Sequence, residues 1–289
     1  MLKTEEINLK KDPIVQLLLL QLTLFLAFQL LAFIGMLWQG PQGVNIKMEV
    51  VRLFAMPYDL GTLAWKPWTI FTSLISHEAF FHFLFNGLFL FFIGRMYLML
   101  VDSRSVWPLF ICSGLAGNML SLLLMQSPGM QPYMGDGMLL GSSGALMGMM
   151  MTLARIHPNL PVRLLFFGEV KLKFVALAYL LLNVLMLGSS SNLGGTLAHL
   201  GGASLGLWYG WRRSQGQDPL NWMYFGLSRR KGTQLKVSFR KPESDEAFRS
   251  RKAEQEFSLD ELLDKVHRRG LDSLSKKERQ LLDKYSRNS

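Results

Sequence analysis

The sequence contains a single cysteine, Cys112, among its 289 residues. One thiol cannot form an intramolecular disulfide, and it excludes a zinc site built from several cysteines. Charged residues are also scarce over long stretches, since residues 14–38 carry none and the apolar middles of the later hydrophobic runs hold no Asp or Glu. A chain that is 49% hydrophobic and so poor in charge upstream of its tail is typical of a membrane bundle with a polar appendage.

The positive charge is concentrated near the C-terminus. Of the 31 Lys and Arg residues, 19 lie at or after Arg212, and the net charge is +10. No interleaving of aromatic and basic residues accompanies this charge, so nucleic acid is not expected as a partner. A basic tail that follows an apolar bundle is expected to stay on the cytoplasmic side of the membrane and to contact the anionic headgroups of the lipid bilayer.

Hydrophobic runs predict six membrane spans. The first is about 25 residues long, enough to cross a hydrocarbon core of roughly 30 Å, and no small-x-small cleavage site follows it, so it is predicted to be an uncleaved anchor. The fourth is too short to cross alone, so its N-terminus is expected to lie inside the protein beside a water-filled cavity. The six runs are residues 14–38, 80–100, 106–125, 143–156, 174–187 and 196–211.

Loop charge predicts the orientation. The loops after spans two and four are basic, like the tail, whereas the loops after spans three and five carry no Lys or Arg, so both termini are predicted to be cytoplasmic. The first loop, which is also basic, is the exception. Spans two, four and six then run from outside to inside, and His82, Ser143 and His199 fall near their starts. Three separate segments are thus expected to bring reactive residues to one depth near the outer face.

The run Gly141-Ser142-Ser143-Gly144 is the candidate for nucleophilic chemistry. A serine hydroxyl is a poor nucleophile at neutral pH and needs a base within hydrogen-bond reach. The simplest site is a dyad in which Ser143 is the nucleophile and His199 is the general base, and then the acid that protonates the leaving amine. Ser142 is the competing nucleophile if the register of the turn differs by one residue.

An oxyanion would need hydrogen-bond donors near the serine. The candidates are the Ser143 backbone N–H at the helix start, the His82 side chain and the Asn86 amide, and the last two share a helix face because they are four residues apart. Each feature taken singly also fits a turn, a packing histidine or an interhelical amide. From the residues alone, a serine hydrolase and a transporter or channel both remain open.

Small residues are expected to bring the fourth and sixth spans into contact. Glycine recurs at every fourth position in the sixth span and has the same spacing in the fourth, which permits close approach of two helix backbones. Because His199 precedes this glycine face by three residues and Ser143 adjoins Gly144, the two residues are predicted to be neighbours. The packing residues assigned to the site are Gly141, Gly144, Gly202 and Gly206.

The tail is predicted to divide into a flexible charged linker, residues 214–256, and a small helical hairpin, residues 257–289. Two capping boxes, Ser258 to Glu261 and Ser275 to Glu278, each open an amphipathic run, and Gly270 separates the runs as a helix stop. The predicted apolar face comprises Leu259, Leu262, Leu263, Val266, Leu281, Leu282 and Tyr285. Such a module is a candidate for binding a protein partner.

Three motifs together resemble those of the rhomboid intramembrane serine proteases. They are Gly-x-Ser-Gly at residues 141–144, Ala-His-x-x-Gly-x-x-x-Gly at 198–206 and His-x-x-x-Asn at 82–86, in the expected order and on the expected spans. The resemblance covers about residues 14–213. It implies an all-α membrane protein in which a cytoplasmic N-terminal tail, residues 1–13, precedes a six-transmembrane-helix bundle, followed by a short cytoplasmic helical tail.

The resemblance also implies a function. Ser143 and His199 would form the catalytic dyad of an endopeptidase, with His82 and Asn86 helping the oxyanion hole, and no metal or cofactor is expected. Substrates would be single-pass membrane proteins cleaved in or near their transmembrane segments, and the setting would be a bacterial inner membrane. The alternative is a catalytically silent rhomboid-like protein that binds membrane clients, although silent relatives typically lack the serine or the histidine.

Two departures from the family pattern stand out. Met147 occupies the position, four residues after Ser143, where many members have a tyrosine that packs against the catalytic histidine. The first loop also lacks a clear Trp-Arg pair. The support of His199 and the construction of the first loop must therefore differ from the common pattern, although no catalytic group is lost.

Overall fold

Helix α1 (Pro13–Gln39) begins at a capped end. The Asp12 carboxylate accepts hydrogen bonds from the backbone N–H groups of Ile14 and Val15, and proline occupies the first helical position, where no N–H is needed. The computed structural model describes residues 12–40, 43–133, 137–164, 168–188, 192–224 and 260–286. The chain forms two compact units, Met1–Leu227 and Ser228–Ser289.

The first loop contains three short helices, α2 (Gly43–Val51), α3 (Leu60–Trp65) and α4 (Thr69–Thr72). Two side chains hold its later part to residues 53 and 54: the Trp68 indole N–H donates to the Leu53 carbonyl at 2.7 Å, and the Thr72 hydroxyl donates to the Phe54 carbonyl at 2.8 Å. Strand β1 (Met56–Pro57) pairs antiparallel with β2 (Met138–Leu139). The first loop is thereby joined to the segment that immediately precedes the serine motif.

Five longer helices complete the first unit, and their bounds follow the predicted runs closely. They are α5 (Phe80–Leu100), α6 (Val106–Met125), α7 (Ser143–Ile156), α8 (Leu172–Leu185) and α9 (Leu193–Ser214). Among the described residues, α1, α5 and α6 are long and apolar enough to cross a membrane, and α8 is a shorter apolar helix. The main differences from prediction are at α8, which starts two residues earlier, and at α9, which extends at both ends.

Helix α7 is the centre of the first unit. Every residue from Gly144 to Ala154 is buried, and the helix packs between α6 and α9. A Cβ atom added at Gly202 would lie 1.9 Å from the Gly144 carbonyl oxygen, and one at Gly206 would lie 2.1 Å from the Gly148 carbonyl oxygen. The backbones of α7 and α9 therefore touch, which only glycine permits at these positions.

The chain is mostly helical, but it also contains β-structure that the sequence analysis did not anticipate. The basic loop after α7 forms a hairpin in which β3 (Pro161–Leu164) pairs antiparallel with β4 (Gly168–Lys171). With β1 and β2, this makes two short two-stranded sheets in the described part of the chain. No strand was predicted here because alternation over four residues or fewer is too short to indicate one.

The end of α9 is tied to its surroundings by charge. Arg213 pairs with Asp218 and with Asp102, which lies between α5 and α6 and is 2.7 Å from the guanidinium. The Tyr209 hydroxyl donates to the Asp218 carboxylate at 3.0 Å, and Leu220 is buried. Residues 215–224, which the sequence analysis assigned to the linker, pack against the first unit.

The second unit contains a helical hairpin, α10 (residues 260–269) and α11 (Lys276–Ser286), with Gly270 at a φ of +75° between them. The predicted capping box is present: the Ser275 N–H donates to the Glu278 carboxylate at 2.7 Å, and the Glu278 N–H donates to the Ser275 hydroxyl at 3.4 Å. Leu262 is buried, as expected. The predicted box at Ser258 starts outside the described residues.

Candidate functional site

Ser143 is the first residue of α7 and follows a tight turn. Gly141 has a φ of +120°, a conformation that side chains disfavour, and its N–H donates to the Ser73 carbonyl at 2.8 Å. Ser142 occupies the N-cap position, but its side chain makes no capping hydrogen bond. The N–H groups of the first turn therefore lack the usual internal acceptor and point at whatever lies beyond the helix start.

The structure brings Ser143 and His199 together. The Ser143 Oγ lies 2.6 Å from the His199 Nε2, although the two residues are 56 positions apart. Contact between the backbones of α7 and α9 at Gly144 and Gly202 produces this proximity. On its other side, the His199 Nδ1 lies 2.5 Å from the Asn183 Oδ1, which is on α8.

A second serine and histidine are adjacent one residue earlier. The Ser142 hydroxyl donates to the Asn86 Oδ1 at 3.2 Å, and its Oγ is 3.3 Å from the His77 Nε2. Both Ser142 and His77 are fully buried. His77 precedes α5 rather than lying on it. The Ser142 backbone N–H also lies 3.4 Å from the same His77 nitrogen.

A cavity of about 190 Å³ adjoins Ser143. Its lining includes Ser143, His82, Gly144 and Ala198, and Glu78 contributes to it. In the described part of the chain, neither Ser142 nor Asn86 lines this cavity. Of the two serines, only Ser143 therefore has both a histidine within hydrogen-bond distance and a space in which a substrate group fits.

The two side chains predicted as oxyanion donors, His82 and Asn86, differ in whether they line the cavity. His82 lines the cavity, and its Nε2 is 2.7 Å from the place that a Cβ on Gly141 would occupy. Gly141 thus contacts the His82 ring and not a facing glycine, which corrects its assignment to the packing set of Gly144, Gly202 and Gly206. Asn86 donates from Nδ2 to the His82 carbonyl at 2.8 Å, so its amide holds the local turn of α5 and the Ser142 side chain.

Asn183 and Tyr179 were missed by the sequence analysis. The Asn183 side chain contacts His199 directly, its Nδ2 donates to the Tyr179 carbonyl at 2.8 Å, and the Tyr179 and His199 rings are 6.3 Å apart. Met147, four residues after Ser143, is fully buried. The one asparagine in the fifth hydrophobic run was the available signal, but an amide there is also typical of interhelical packing.

No group of three or more His, Cys, Asp and Glu residues that could hold a metal ion occurs in the described ranges. The expectation that the site uses no metal or cofactor stays an expectation. What the arrangement offers is acid–base and nucleophilic chemistry: a hydroxyl against an imidazole, beside a small cavity and at the positive end of a helix.

Comparison with known proteins gives two family matches. The model of the Rhomboid domain matches residues 64–216, more than half of the chain, and a family of unknown function matches residues 243–288. No curated protein matches the sequence. The first match includes His82, Asn86, Ser143 and His199, and the second includes the helical hairpin.

Proposed function

The chain belongs to the rhomboid family, and on that premise we propose that it is a serine-type endopeptidase that cleaves membrane proteins in or near their transmembrane segments. Members of the Rhomboid domain family are generally intramembrane serine proteases. The observation that carries the proposal is the 2.6 Å separation of the Ser143 Oγ and the His199 Nε2. Together with the adjoining cavity, it supports a catalytic Ser-His dyad.

The proposed reaction proceeds through an acyl-enzyme. The Ser143 Oγ attacks the carbonyl carbon of the scissile peptide as its proton passes to the His199 Nε2, and a tetrahedral oxyanion forms. Its collapse breaks the C–N bond, and His199 returns the proton to the leaving amine. Water then attacks the ester, again through His199, which releases the new carboxyl end and regenerates the Ser143 hydroxyl.

The oxyanion would be stabilised at the start of α7. The Ser143 N–H belongs to a first turn without a side-chain cap, and the His82 ring lines the same cavity. Donors aimed at the developing charge are each worth about 10²–10³ in rate. The role of Asn86 as a donor stays a prediction, because its Nδ2 donates to the His82 carbonyl in this structure.

We further propose that residues 14–213 form a six-span bundle in a bacterial inner membrane, with both termini in the cytoplasm. The support is the three long apolar helices, the segregation of basic residues into alternate loops, and the enclosure of the short α7 among its neighbours. Substrates would be single-pass membrane proteins that approach through the lipid bilayer. A protein partner for the tail stays a prediction.

The decisive experiment compares purified variants in detergent on a single-pass membrane substrate. Ser143→Ala and His199→Ala are expected to abolish cleavage, whereas Ser142→Ala is expected to retain it, because Ser142 does not line the cavity and its hydroxyl donates to the Asn86 amide. Equal cleavage by all four proteins would refute the dyad. A wild type that binds the substrate without cleaving it would favour the silent client-binding alternative.

A further inference from the structure

The proton positions around His199 can be assigned from one fixed point. The Tyr179 backbone carbonyl can only accept a hydrogen bond, so the Asn183 side-chain nitrogen that lies 2.8 Å from it must be the NH₂ group. This orients the amide, and the Asn183 Oδ1 therefore faces the His199 Nδ1 at 2.5 Å. An amide oxygen carries no proton, so the hydrogen between them belongs to the imidazole.

The consequence reaches the nucleophile. A neutral imidazole with its proton on Nδ1 has a lone pair on Nε2. That lone pair faces the Ser143 Oγ at 2.6 Å, so it accepts the hydroxyl proton. The opposite tautomer would place two lone pairs together at Asn183 and would leave Ser143 without a base. A chain of hydrogen bonds from α8 thus selects the tautomer in which His199 acts as a base.

We infer that Asn183 is a positioning residue that fixes the tautomer and ring orientation of His199, an inference that rests on the proposed dyad. Asn183 is 5% exposed, so water does not replace its amide easily, and both its polar atoms have partners. Tyr179 supplies the anchoring carbonyl from the same helix, and its ring packs near the imidazole. Support for the histidine thus comes from α8, whereas position 147 on α7 holds a methionine.

Two substitutions separate this role from simple packing. Asn183→Leu keeps the side-chain volume but removes the acceptor, and it is expected to lower kcat by tenfold or more, part of the roughly 10²–10⁴ that a positioned base supplies, with KM nearly unchanged. Asn183→Asp keeps the acceptor for the His199 Nδ1 but loses the hydrogen bond to the Tyr179 carbonyl, so it is expected to be more active than Asn183→Leu and less active than the wild type. Leu182→Ala, on the exposed side of the same helix, is the control for helix stability.

The second readout does not depend on activity. Nitrogen-15 NMR of the full chain with labelled histidine, assigned by comparison with His199→Gln, is expected to find the proton on Nδ1 in the wild type and a mixture of tautomers in Asn183→Leu.

If the Asn183→Leu variant does not fold, the Asn183→Asp variant provides the test. Its carboxylate stabilises the imidazolium form of His199, so the acid limb of the pH profile of kcat/KM is expected to move to higher pH. The other groups that face His199 are Ser143, Tyr179 and His82.

The outcomes distinguish the two proposals. If the wild type cleaves, Ser143→Ala does not, and a folded Asn183→Leu matches the wild type in kcat and in tautomer, the positioning role is wrong and the dyad stands. If the wild type does not cleave but Asn183→Leu alters the His199 tautomer, the proposed activity fails and the positioning role holds. An unshifted acid limb in Asn183→Asp also overturns the positioning role.

Discussion

At the scale of single residues, Gly202 has almost no room for a side chain. Its Cβ would lie 1.9 Å from the backbone oxygen of Gly144, an atom that cannot move without shifting α7 and with it Ser143. Gly202→Ala is therefore expected to destabilise the folded protein by at least ~1–3 kcal/mol, as overpacking does elsewhere, and to reduce cleavage. Thermal unfolding in detergent measures the first effect and the substrate assay the second.

The matched control is Gly87→Ala on α5. Its Cβ would meet only the Leu18 side chain at 3.8 Å, an ordinary contact. Alanine is the better helix former by roughly 0.5–1 kcal/mol, so this variant is expected to be as stable as the wild type or more stable. An equal loss of stability in both variants would contradict the close contact of α7 with α9.

Single residues also differ in how well the sequence predicts their place in the site. Ser143 and His199 could be predicted as neighbours because glycine spacing places both beside one contact face. Asn183 could not, because helical periodicity gives the face of a residue on its own helix but not the rotation of that helix against its neighbours. His77 also carried no signal in the sequence, because it lies in the extended segment before α5, where its ring faces Ser142.

At the scale of elements, the hairpin of the second unit depends on Glu278. Its carboxylate accepts from the Lys265 ammonium on α10 and from the Ser275 N–H, each at 2.7 Å, and these bonds lower its pKa from 4.5 to about 2. Glu278→Gln removes the charge from both bonds. We expect faster hydrogen–deuterium exchange at pH 7 across residues 260–286 of the full chain.

The sign of the pH effect follows from the direction of the shift. A carboxyl group whose folded pKa is lowered contributes stability above its unfolded value, so the hairpin is expected to be fully protected above about pH 4.5 and to lose protection as the pH falls towards 2. Asp264→Asn is the control, because its exposed pair with Arg268 should contribute little. Identical exchange in Glu278→Gln and wild type would contradict the coupling of α10 to α11.

Helices were predictable and the shorter elements were not. The hydrophobic runs predicted the bounds of α5, α6 and α7, since helix ends coincide with charged or glycine-containing turns. The hairpin β3–β4 and the pair β1–β2 are too short to produce a periodic signal. In the tail, Leu263 was expected on the apolar face but is 48% exposed, whereas Leu274, just past Gly270, is buried, because the turn and not the helix period sets that contact.

At the scale of the whole molecule, the proposed orientation can be tested with introduced cysteines. Replacing Cys112 by serine gives a background without thiols, and Ser127 and Ser214 are both exposed, at the ends of α6 and α9. A membrane-impermeant maleimide is expected to label Ser127→Cys in intact cells and Ser214→Cys only after the cells are opened. Both changes replace one oxygen by sulfur, so each variant is the other's control.

Labelling of both sites in intact cells would contradict a cytoplasmic C-terminal side, and labelling of neither would contradict an external turn after α6. The inverse pattern would mean that the whole bundle is reversed. In that case His82, Ser143 and His199 would face the cytoplasm, and the pool of substrate segments available to the site would change accordingly.

The three helices that assemble the site follow one another along the chain in a fixed order. The proposed nucleophile Ser143 is on α7, the proposed positioning residue Asn183 is on α8, and the proposed base His199 is on α9, 56 residues after Ser143. During translation, Ser143 is therefore synthesised before Asn183 and His199. A half-made chain, or a copy cut short before α9, carries a serine that cannot react. The proposed protease thus acquires the base of its dyad only after α9 has been synthesised and has packed against α7.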